Sequence, residues 1–359
     1  MTLNPRERVL RTLMFEEPDR VPLFELFISP EVLSHILGKK LIETGELGRT
    51  TAPIEEGVKA HIKIGLDSFC VDTFLNPKNN LKINKNLYVD EWGRLFNNKI
   101  RGLDSDFYVG GYLTTPEKYE NFQRPNPYDP WKIEQYSRAI KAAGKNAFII
   151  PGIGSIFEVP AEAIGFENFL KYMFIKPNFI KKVLKDATDF TIEQGKICID
   201  NGAEVCMLYD DYAYKHGPMM SPKQWKEFIY PYLKMVANSI HKRGGFLLLH
   251  SDGNILPLMD MIIEAGVDGI HPLEPTAGIR LDKVKEKWGD KICLIGNIDI
   301  NKLILEDQKE IMKEVKEAIK VAAPGGGYIL CSGHYINAKC RPENLITQIK
   351  TGKKYGKYS

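Results

Sequence analysis

The 359-residue sequence lacks a strong charge of either sign. Its 49 basic and 46 acidic residues give a formal net charge of +3, and the lysines and arginines are dispersed along the chain. A nucleic-acid-binding protein normally gathers such residues into a basic patch that neutralises phosphates. We therefore expect no nucleic-acid partner.

Long apolar runs are also missing. No stretch approaches the roughly 20 consecutive apolar residues that cross a bilayer. The amphipathic opening MTLNPRERVLRTLMF lacks the apolar region of a signal peptide. We therefore expect no membrane contact and a cytoplasmic location.

Cysteine is scarce and scattered. The six cysteines form no CxxC pair, and several lie inside apolar runs. That distribution is typical of reduced thiols that fill core space, and it argues against both a disulfide framework and a zinc knuckle.

What the sequence does contain is a regular alternation of apolar runs and longer amphipathic segments. Eight short runs have the composition of buried strands, and the segments between most of them repeat apolar residues at helical spacing. The runs cover residues 20–27, 65–72, 147–154, 203–210, 245–252, 266–273, 291–298 and 326–333. This alternation predicts an α/β fold, a (β/α)8 TIM barrel with its helices outside. An open doubly wound sheet is the alternative, but no GxGxxG motif follows the first run.

The domain organisation follows from the same pattern. We expect a single domain over residues 1–359, with an N-terminal helical extension over about residues 1–19. Residues from about 74 to 114 break the alternation because they are rich in Asn, Gly and short alternating runs. They predict an insertion that contains a hairpin around Asp90 to Phe96.

Potential metal ligands follow three of the predicted strands. The motifs GGFLLLHSDGN, GVDGIHPLEP and GGGYILCSGHYI each place histidine just beyond an apolar run. The carboxyl ends of barrel strands carry the active site, and zinc takes His, Cys and carboxylate ligands. The candidate ligands are His250, His334, Asp252, Glu274 and Cys331.

Further polar residues at the strand ends are candidates for catalysis. Asp210 and Asp211 suit a general acid or a further ligand, because like charges in a cleft raise one pKa, and they equally suit a turn or helix cap. Glu158 could either approach the metal or make a hydrogen bond to the backbone at the barrel rim. Asn297 suits either a substrate contact or a turn. We interpret His271 as structural.

Two roles outside the metal ligand set are also open. Glu274 could accept a hydrogen bond from His250 or His334 without binding the metal itself, since metal-bound imidazoles usually have such an acceptor. Aromatic residues near the predicted rim suit an apolar slot for an aromatic ring, or ordinary core packing. The slot candidates are Tyr209, Tyr212, Phe157 and Tyr335.

Several segments together resemble the uroporphyrinogen decarboxylase superfamily over nearly the whole chain. They are NPRERVLRTLMFEEPDRVPLFELF, DEWGR, DDYAYKHGPMMSPKQWKEFIYPYLK and the series HSDG, GIHPLEP, LIGNID, SGHYI and RPEN. The chain is more similar to the corrinoid-dependent methyltransferase branch than to the decarboxylases. ELFISPEV stands where the decarboxylases carry an arginine-containing segment, and arginine is the strong bidentate partner of substrate carboxylates.

The resemblance implies a zinc ion at the barrel mouth, held by an HxC pair after the fifth strand and a further Cys after the eighth. His250 matches the histidine of the family. Asp252 and His334 stand at the two cysteine positions, and Cys331 would reach the metal only if the last strand shifted its register.

These substitutions bear on the expected chemistry. Imidazole and carboxylate leave zinc harder than thiolates do, and a harder ion suits oxygen donors. We expect zinc as a Lewis acid in a methyltransferase that moves a methyl group between a small methylated substrate, favoured to be a methoxylated aromatic, and cobalt. The corrinoid would come on a separate protein, because the chain lacks a DxHxxG motif.

Three alternatives stay open. They are a methylcorrinoid:thiol methyltransferase, a metal-free enzyme like uroporphyrinogen decarboxylase, and a non-catalytic barrel that binds a corrinoid or another small molecule.

Overall fold

A parallel sheet of seven strands forms the centre of the protein. The computed structural model describes residues 2–41, 52–98 and 106–358. Elements are numbered in chain order, and the seven strands are β1 (Ser68–Asp72), β6 (Phe148–Gly154), β7 (Val205–Tyr209), β10 (Phe246–His250), β11 (Gly269–His271), β12 (Cys293–Ile298) and β13 (Tyr328–Ser332). They neighbour one another in that order, which is the order of a parallel barrel.

The predicted first strand, residues 20–27, closes this sheet without forming a regular strand. Leu23 makes an isolated parallel bridge with Leu330. The Phe24 N–H donates to the Leu330 carbonyl at 3.0 Å, and the Asp67 N–H donates to the Leu23 carbonyl at 2.8 Å. The segment therefore lies between β13 and the start of β1, and the fold is the TIM-barrel-like α/β fold that the alternation predicted.

The irregularity of this closing segment has a local cause. Pro22 has no N–H to donate to a neighbouring strand. The N–H of Leu23 donates instead to the side chain of Asp67, at 2.8 Å. Two successive ladder positions are thus lost, and only isolated bridges remain.

Fifteen α-helices occur in the described ranges, and seven of them begin with proline, whose fixed φ suits the first helical position. The helices are α1 (Pro5–Leu13), α2 (Pro30–Leu37), α3 (Ile54–Ile64), α4 (Pro116–Asn121), α5 (Pro130–Ala143), α6 (Glu158–Ile164), α7 (Phe166–Ile175), α8 (Pro177–Asp200), α9 (Pro222–Phe228), α10 (Tyr230–His241), α11 (Met259–Glu264), α12 (Leu281–Trp288), α13 (Ile300–Leu305), α14 (Gln308–Ala322) and α15 (Pro342–Tyr355). Within residues 2–41, 52–98 and 106–358, no helix is long and apolar enough to span a bilayer.

The alternation of side chains along the strands divides the core in two. Leu248 packs in a cluster with Met207 and Ile295 inside the barrel, whereas Leu249 and Leu208 pack in the larger cluster between the sheet and the helices. Since side chains two apart share a face, the last residue of β10, His250, has the inward orientation of Leu248.

The predicted hairpin around Asp90 to Phe96 is confirmed. It is part of a four-stranded antiparallel sheet with strands β2 (Leu81–Lys82), β3 (Leu87–Val89), β4 (Arg94–Asn97) and β5 (Phe107–Gly111). Arg94 pairs with Asp90 at 2.6 Å and with Glu162 of α6 at 3.0 Å, which ties the insertion to the barrel. A two-stranded ribbon, β8 (Ala213–Tyr214) and β9 (Gly217–Pro218), follows β7.

A buried ionic network fastens the N-terminal helix and the closing segment to the barrel. Asp67 is 2% exposed and accepts hydrogen bonds from Arg8 at 2.6 Å, from Arg20 at 2.7 and 2.8 Å, and from the Leu23 N–H. One carboxylate thus joins α1, the closing segment and the approach to β1.

Asp67→Ala should destabilise the protein by about 3–5 kcal/mol, because it leaves the buried Arg8 and the partly buried Arg20 without this partner. Denaturant unfolding measures the effect. The control is Asp282→Ala, which removes the exposed ion pair with Arg280 and should leave the unfolding midpoint unchanged. Equal effects of the two substitutions would contradict a central role for Asp67.

Candidate metal centre

Three potential ligands meet where β7 and β10 end. His250 is the last residue of β10, and Asp252 and Asp211 lie in the loops that follow β10 and β7. One ligand atom from each of the three lies within 4.8 Å of the others. The Nε2 atom of His250 is 3.7 Å from Asp211 Oδ1 and 3.9 Å from Asp252 Oδ1. We call this group the mouth cluster.

The HSDG motif holds this geometry through its backbone. The Asp252 N–H donates to Asp211 Oδ1 at 2.7 Å, and the Gly253 N–H donates to Glu274 Oε2 at 2.8 Å. Gly253 has a φ of +83°, and a Cβ there would lie 2.6 Å from the carbonyl carbon of Ala213. Only glycine therefore lets the loop turn so closely against β8.

The charges of the mouth cluster are unequal. Burial and the nearby Asp252 raise the pKa of Asp211 to about 8. Burial alone would raise the pKa of Asp252, but His250 and the hydrogen bond from His334 outweigh it and lower this pKa to about 2. Burial lowers the pKa of His250. At neutral pH the cluster thus offers a carboxylate, a neutral imidazole and a protonated carboxyl.

One oxygen of the cluster has no hydrogen-bond partner. Asp252 Oδ1 is buried and accepts no hydrogen bond from any described residue. A buried carboxylate oxygen without a donor is costly, so such atoms usually face an ion or a water molecule. Two carboxyl groups and an imidazole form a donor set that zinc accepts.

The other predicted ligands surround the mouth cluster. His334 donates from Nε2 to Asp252 Oδ2 at 3.2 Å, and this hydrogen bond raises the pKa of His334. Glu274 accepts from the Gly253 N–H and from the hydroxyl of Thr276. Both residues therefore support the loop that carries Asp252.

Cys331 and His271 lie deeper, inside the barrel. His271 Nδ1 is 2.8 Å from His250 Nδ1, and His271 Nε2 is 3.3 Å from Cys331 Sγ. The structure therefore gives His250 an outer partner in His271, which the sequence suggested only as structural, and not in Glu274. Cys331 is fully buried, and its sulfur faces His271 instead of the mouth cluster. His250 and His271 are paired residues of adjacent strands, a signal that the HSDG and HPLEP motifs carry only when the register is known.

Asp210 and Asp211 have different roles despite their adjacency. Asp210 is fully buried and accepts from the Ser155 hydroxyl at 2.7 Å, the Phe157 N–H at 3.0 Å and the Glu158 N–H at 2.7 Å. Its carboxylate thus holds the start of α6, the cap role that the sequence left open. Only Asp211 joins the mouth cluster.

Glu158 approaches the cluster from the start of α6. Its Oε2 accepts from the Asp211 N–H at 3.4 Å. Burial, followed by the charge of Asp211, raises its pKa well above the ordinary value, which favours the protonated carboxyl. Asn297 of β12 has a structural contact instead, because its side chain donates to the Leu273 carbonyl at 2.9 Å and so joins β12 to the loop that follows β11.

Two of the four predicted slot residues are wrongly placed for that role. Phe157 and Tyr212 are fully buried, and their rings pack against Phe169 and Trp225 behind the site. They lie on the outward-facing side of the loops, where the barrel contacts its helices. The sequence pattern could not reveal this, because aromatic residues serve rims and cores equally well.

The other two slot residues do lie beside the site. The ring of Tyr209 is 6.1 Å from His250 and 5.8 Å from both Phe27 and Phe74. Tyr335 is 45% exposed, and its ring is 5.1 Å from that of His334.

Comparison with known proteins places this arrangement in a family. The family model described as uroporphyrinogen decarboxylase (URO-D) matches residues 106–355, well over half of the chain. The chain belongs to the uroporphyrinogen decarboxylase family. The matched residues include all three members of the mouth cluster.

Curated members of the uroporphyrinogen decarboxylase family are distant relatives. The uroporphyrinogen decarboxylase of Trichodesmium erythraeum is 25% identical over 268 residues, covering 70% of this chain and 73% of the relative. That of Pseudoalteromonas atlantica is 26% identical over 263 residues, covering 68% and 69%. Among solved structures, a methyltransferase from Methanosarcina mazei has a TM-score of 0.76 at 19% identity, over 98% of this chain and 99% of the other. That likeness confirms the fold.

The contrast between the neighbouring aspartates is testable. Asp210→Ala should destabilise the metal-free protein by at least about 2 kcal/mol, because it removes a helix cap and leaves buried donors unpaired. Asp211→Asn should leave stability unchanged or raise it, since it keeps an acceptor and removes a carboxyl that burial disfavours. Denaturant unfolding measures the stability of both variants. A larger loss of stability in Asp211→Asn than in Asp210→Ala would contradict the assignment.

Proposed function

We propose that this protein is a zinc-dependent methyltransferase. It moves a methyl group between a small methylated substrate, favoured to be a methoxylated aromatic, and the cobalt of a separate corrinoid protein. The observation that carries the proposal is the mouth cluster, in which Asp211, His250 and Asp252 converge and Asp252 Oδ1 has no donor among the described residues.

The chemistry of the donor set supports the choice of zinc and of an oxygen leaving group. A zinc ion held by His250 and the two aspartates would supply a Lewis acid that draws electrons from the oxygen of the methyl donor. Carboxylate and imidazole favour oxygen donors, whereas the thiol alternative is better matched by thiolate ligands. The lowered pKa values of Asp252 and His250 keep both in the forms that bind metal.

Glu158 supplies the proton that an oxygen leaving group needs. Burial raises its pKa well above the ordinary value, which favours the protonated carboxyl, and its Oε2 contacts the Asp211 N–H beside the mouth cluster. A carboxylic acid in this state acts as a general acid toward a departing phenolate oxygen. Demethylation of an aryl ether is therefore well served by this residue.

The aromatic side chains beside the cluster favour an aromatic substrate. Tyr209, Phe27 and Phe74 form one apolar wall next to His250, and Tyr335 lies at the more exposed edge beside His334. A planar ring bound between such groups gains both apolar burial and ring packing.

Decarboxylation of a porphyrinogen is the weaker candidate. Its substrate carries several carboxylates, which the ionised Asp252 at this mouth would repel. Arg94, a guanidinium group whose charge acts on Glu158, is buried and already engaged by Asp90 and Glu162. The likeness to the Methanosarcina mazei methyltransferase over the full chain also supports methyl transfer.

Metal content and methyl transfer together test the proposal. Purified wild-type protein should contain one zinc ion per chain and should methylate a supplied Co(I) corrinoid protein from a methoxylated aromatic, followed by cobalt absorption. His250→Ala should lose both properties, whereas His216→Ala, at an exposed histidine outside the mouth cluster, should keep both.

Several results would overturn this assignment. Stoichiometric zinc in His250→Ala would remove the mouth cluster as the metal site. Methylation from thiols alone would replace the substrate class, and decarboxylation of uroporphyrinogen without metal would replace the reaction.

The charge state of Asp211 predicts a pH dependence of metal binding. With a pKa of about 8, against 3.8 for an ordinary aspartate, Asp211 is protonated at neutral pH and must lose its proton to become a ligand. Zinc affinity should therefore rise between about pH 6 and pH 8, with proton release on binding. Calorimetry in two buffers of different ionisation enthalpy measures the protons released. Asp211→Asn should release fewer protons, and an unchanged number would contradict this role.

A further inference from the structure

We propose that Glu25, Cys331 and His271 form a buried hydrogen-bond relay that positions His250 as a metal ligand. His271 is then a positioning residue, which fixes the ring orientation and the protonated nitrogen of His250. This inference rests on the proposed function only in assuming that a metal ion binds at the mouth cluster.

The relay is continuous from the mouth to the far side of the barrel wall. His250 Nδ1 lies 2.8 Å from His271 Nδ1, and His271 Nε2 lies 3.3 Å from Cys331 Sγ. Cys331 Sγ in turn lies 3.7 Å from Glu25 Oε2. Each of the four side chains therefore contacts the next through a single pair of polar atoms.

The direction of the hydrogen bonds follows from the orientation of His250. Its Nε2 faces Asp211 and Asp252, so Nε2 is the nitrogen available to a metal. A neutral imidazole with a free Nε2 carries its proton on Nδ1 and donates it. Among the described residues, the atom that receives this hydrogen bond is His271 Nδ1, which must therefore be an unprotonated acceptor.

The same reasoning continues along the relay. A neutral His271 with an unprotonated Nδ1 carries its proton on Nε2, which then donates to Cys331 Sγ. The thiol of Cys331 donates to Glu25 Oε2. All the donors thus point away from the mouth and toward the carboxyl group of Glu25, and the opposite direction would place a proton on the ligand nitrogen of His250.

Burial makes this arrangement strict. Glu25 and Cys331 are 0% exposed, and His271 is 1% exposed. Buried polar atoms depend on one another for hydrogen bonds, so a change in one residue leaves its neighbour unpaired. Burial, with the neighbouring His250 as a further cause, also lowers the pKa of His271 well below the ordinary value, which agrees with a neutral ring.

Glu25 is firmly anchored at the end of the relay. It accepts from Gln348 Nε2 at 2.6 Å, from the Ser332 N–H at 3.2 Å and from the Ser332 hydroxyl. Glu25 belongs to the closing segment, and Ser332 ends β13. The residue that ends the relay is therefore fixed by the closure of the barrel itself.

Two pairs of variants test the relay. His271→Gln keeps an acceptor for His250 and a donor for Cys331, whereas His271→Leu removes both. Cys331→Ser likewise keeps the acceptor and donor that Cys331→Ala removes. Cys293→Ala, at another fully buried cysteine inside the barrel, controls for the loss of a buried thiol.

The measurements are zinc affinity by chelator competition, the visible absorption spectrum of the Co²⁺-substituted protein, and the melting temperature of the metal-free protein. His271→Leu should bind zinc about 10–100-fold more weakly, with an altered Co²⁺ spectrum, as is usual when the outer partner of a ligand histidine is lost. His271→Gln and Cys331→Ser should restore most of the affinity, and Cys293→Ala should match the wild type.

Distinct outcomes would overturn the relay and the proposed function. Wild-type zinc affinity in His271→Leu, or equal loss in His271→Leu and His271→Gln at equal melting temperature, would overturn the relay alone. If His271→Leu does not fold, equal zinc affinity of Cys331→Ala and Cys331→Ser would do so. Zinc retained in His250→Ala would instead overturn the metal site and with it the proposed function.

Discussion

The hydrogen bond between His250 and His271 is the contact on which the rest of the site depends. It joins two paired residues at the ends of adjacent strands, and it sets which nitrogen of His250 faces the mouth. A loop residue could be repositioned by a small backbone change, but a side chain that belongs to the barrel sheet cannot. The rigid part of the site is thus a histidine, and the adaptable part is the pair of loops that bring Asp211 and Asp252 to it.

The loops bring three carboxyl groups close together, those of Asp211, Asp252 and Glu158. Burial and mutual repulsion disfavour the charged forms of Asp211 and Glu158, while Asp252 stays ionised beside two histidines. A carboxyl group with a raised pKa can release its proton when a cation binds beside it. The site also keeps an acid close to the place where a leaving group would develop charge.

Sequence reasoning was most successful where local patterns decide structure. Seven of the eight apolar runs became barrel strands, and the inserted hairpin formed around Asp90 to Phe96, because composition and turn residues act locally. The remaining run, residues 20–27, failed as a strand because Pro22 and Asp67 removed its ladder positions. Within the site, the motif HSDG located His250 and Asp252. The role of His271 depends on strand register, and that of Glu25 depends on its contacts with β13 and α15. Neither can be read from one sequence.

Glu25 shows how the closure of the barrel and the site are connected. A carboxyl group inside the apolar run PLFELF is costly to bury, and the chain satisfies it with β13 and α15 through Ser332 and Gln348. The position belongs to the segment in which decarboxylase relatives, by resemblance, carry an arginine for substrate carboxylates. Here the segment points an acidic group into the wall, toward the histidines and away from substrate. Under the proposed function, this position of the closing segment would support the ligand sphere of a cation in place of the recognition of an anion.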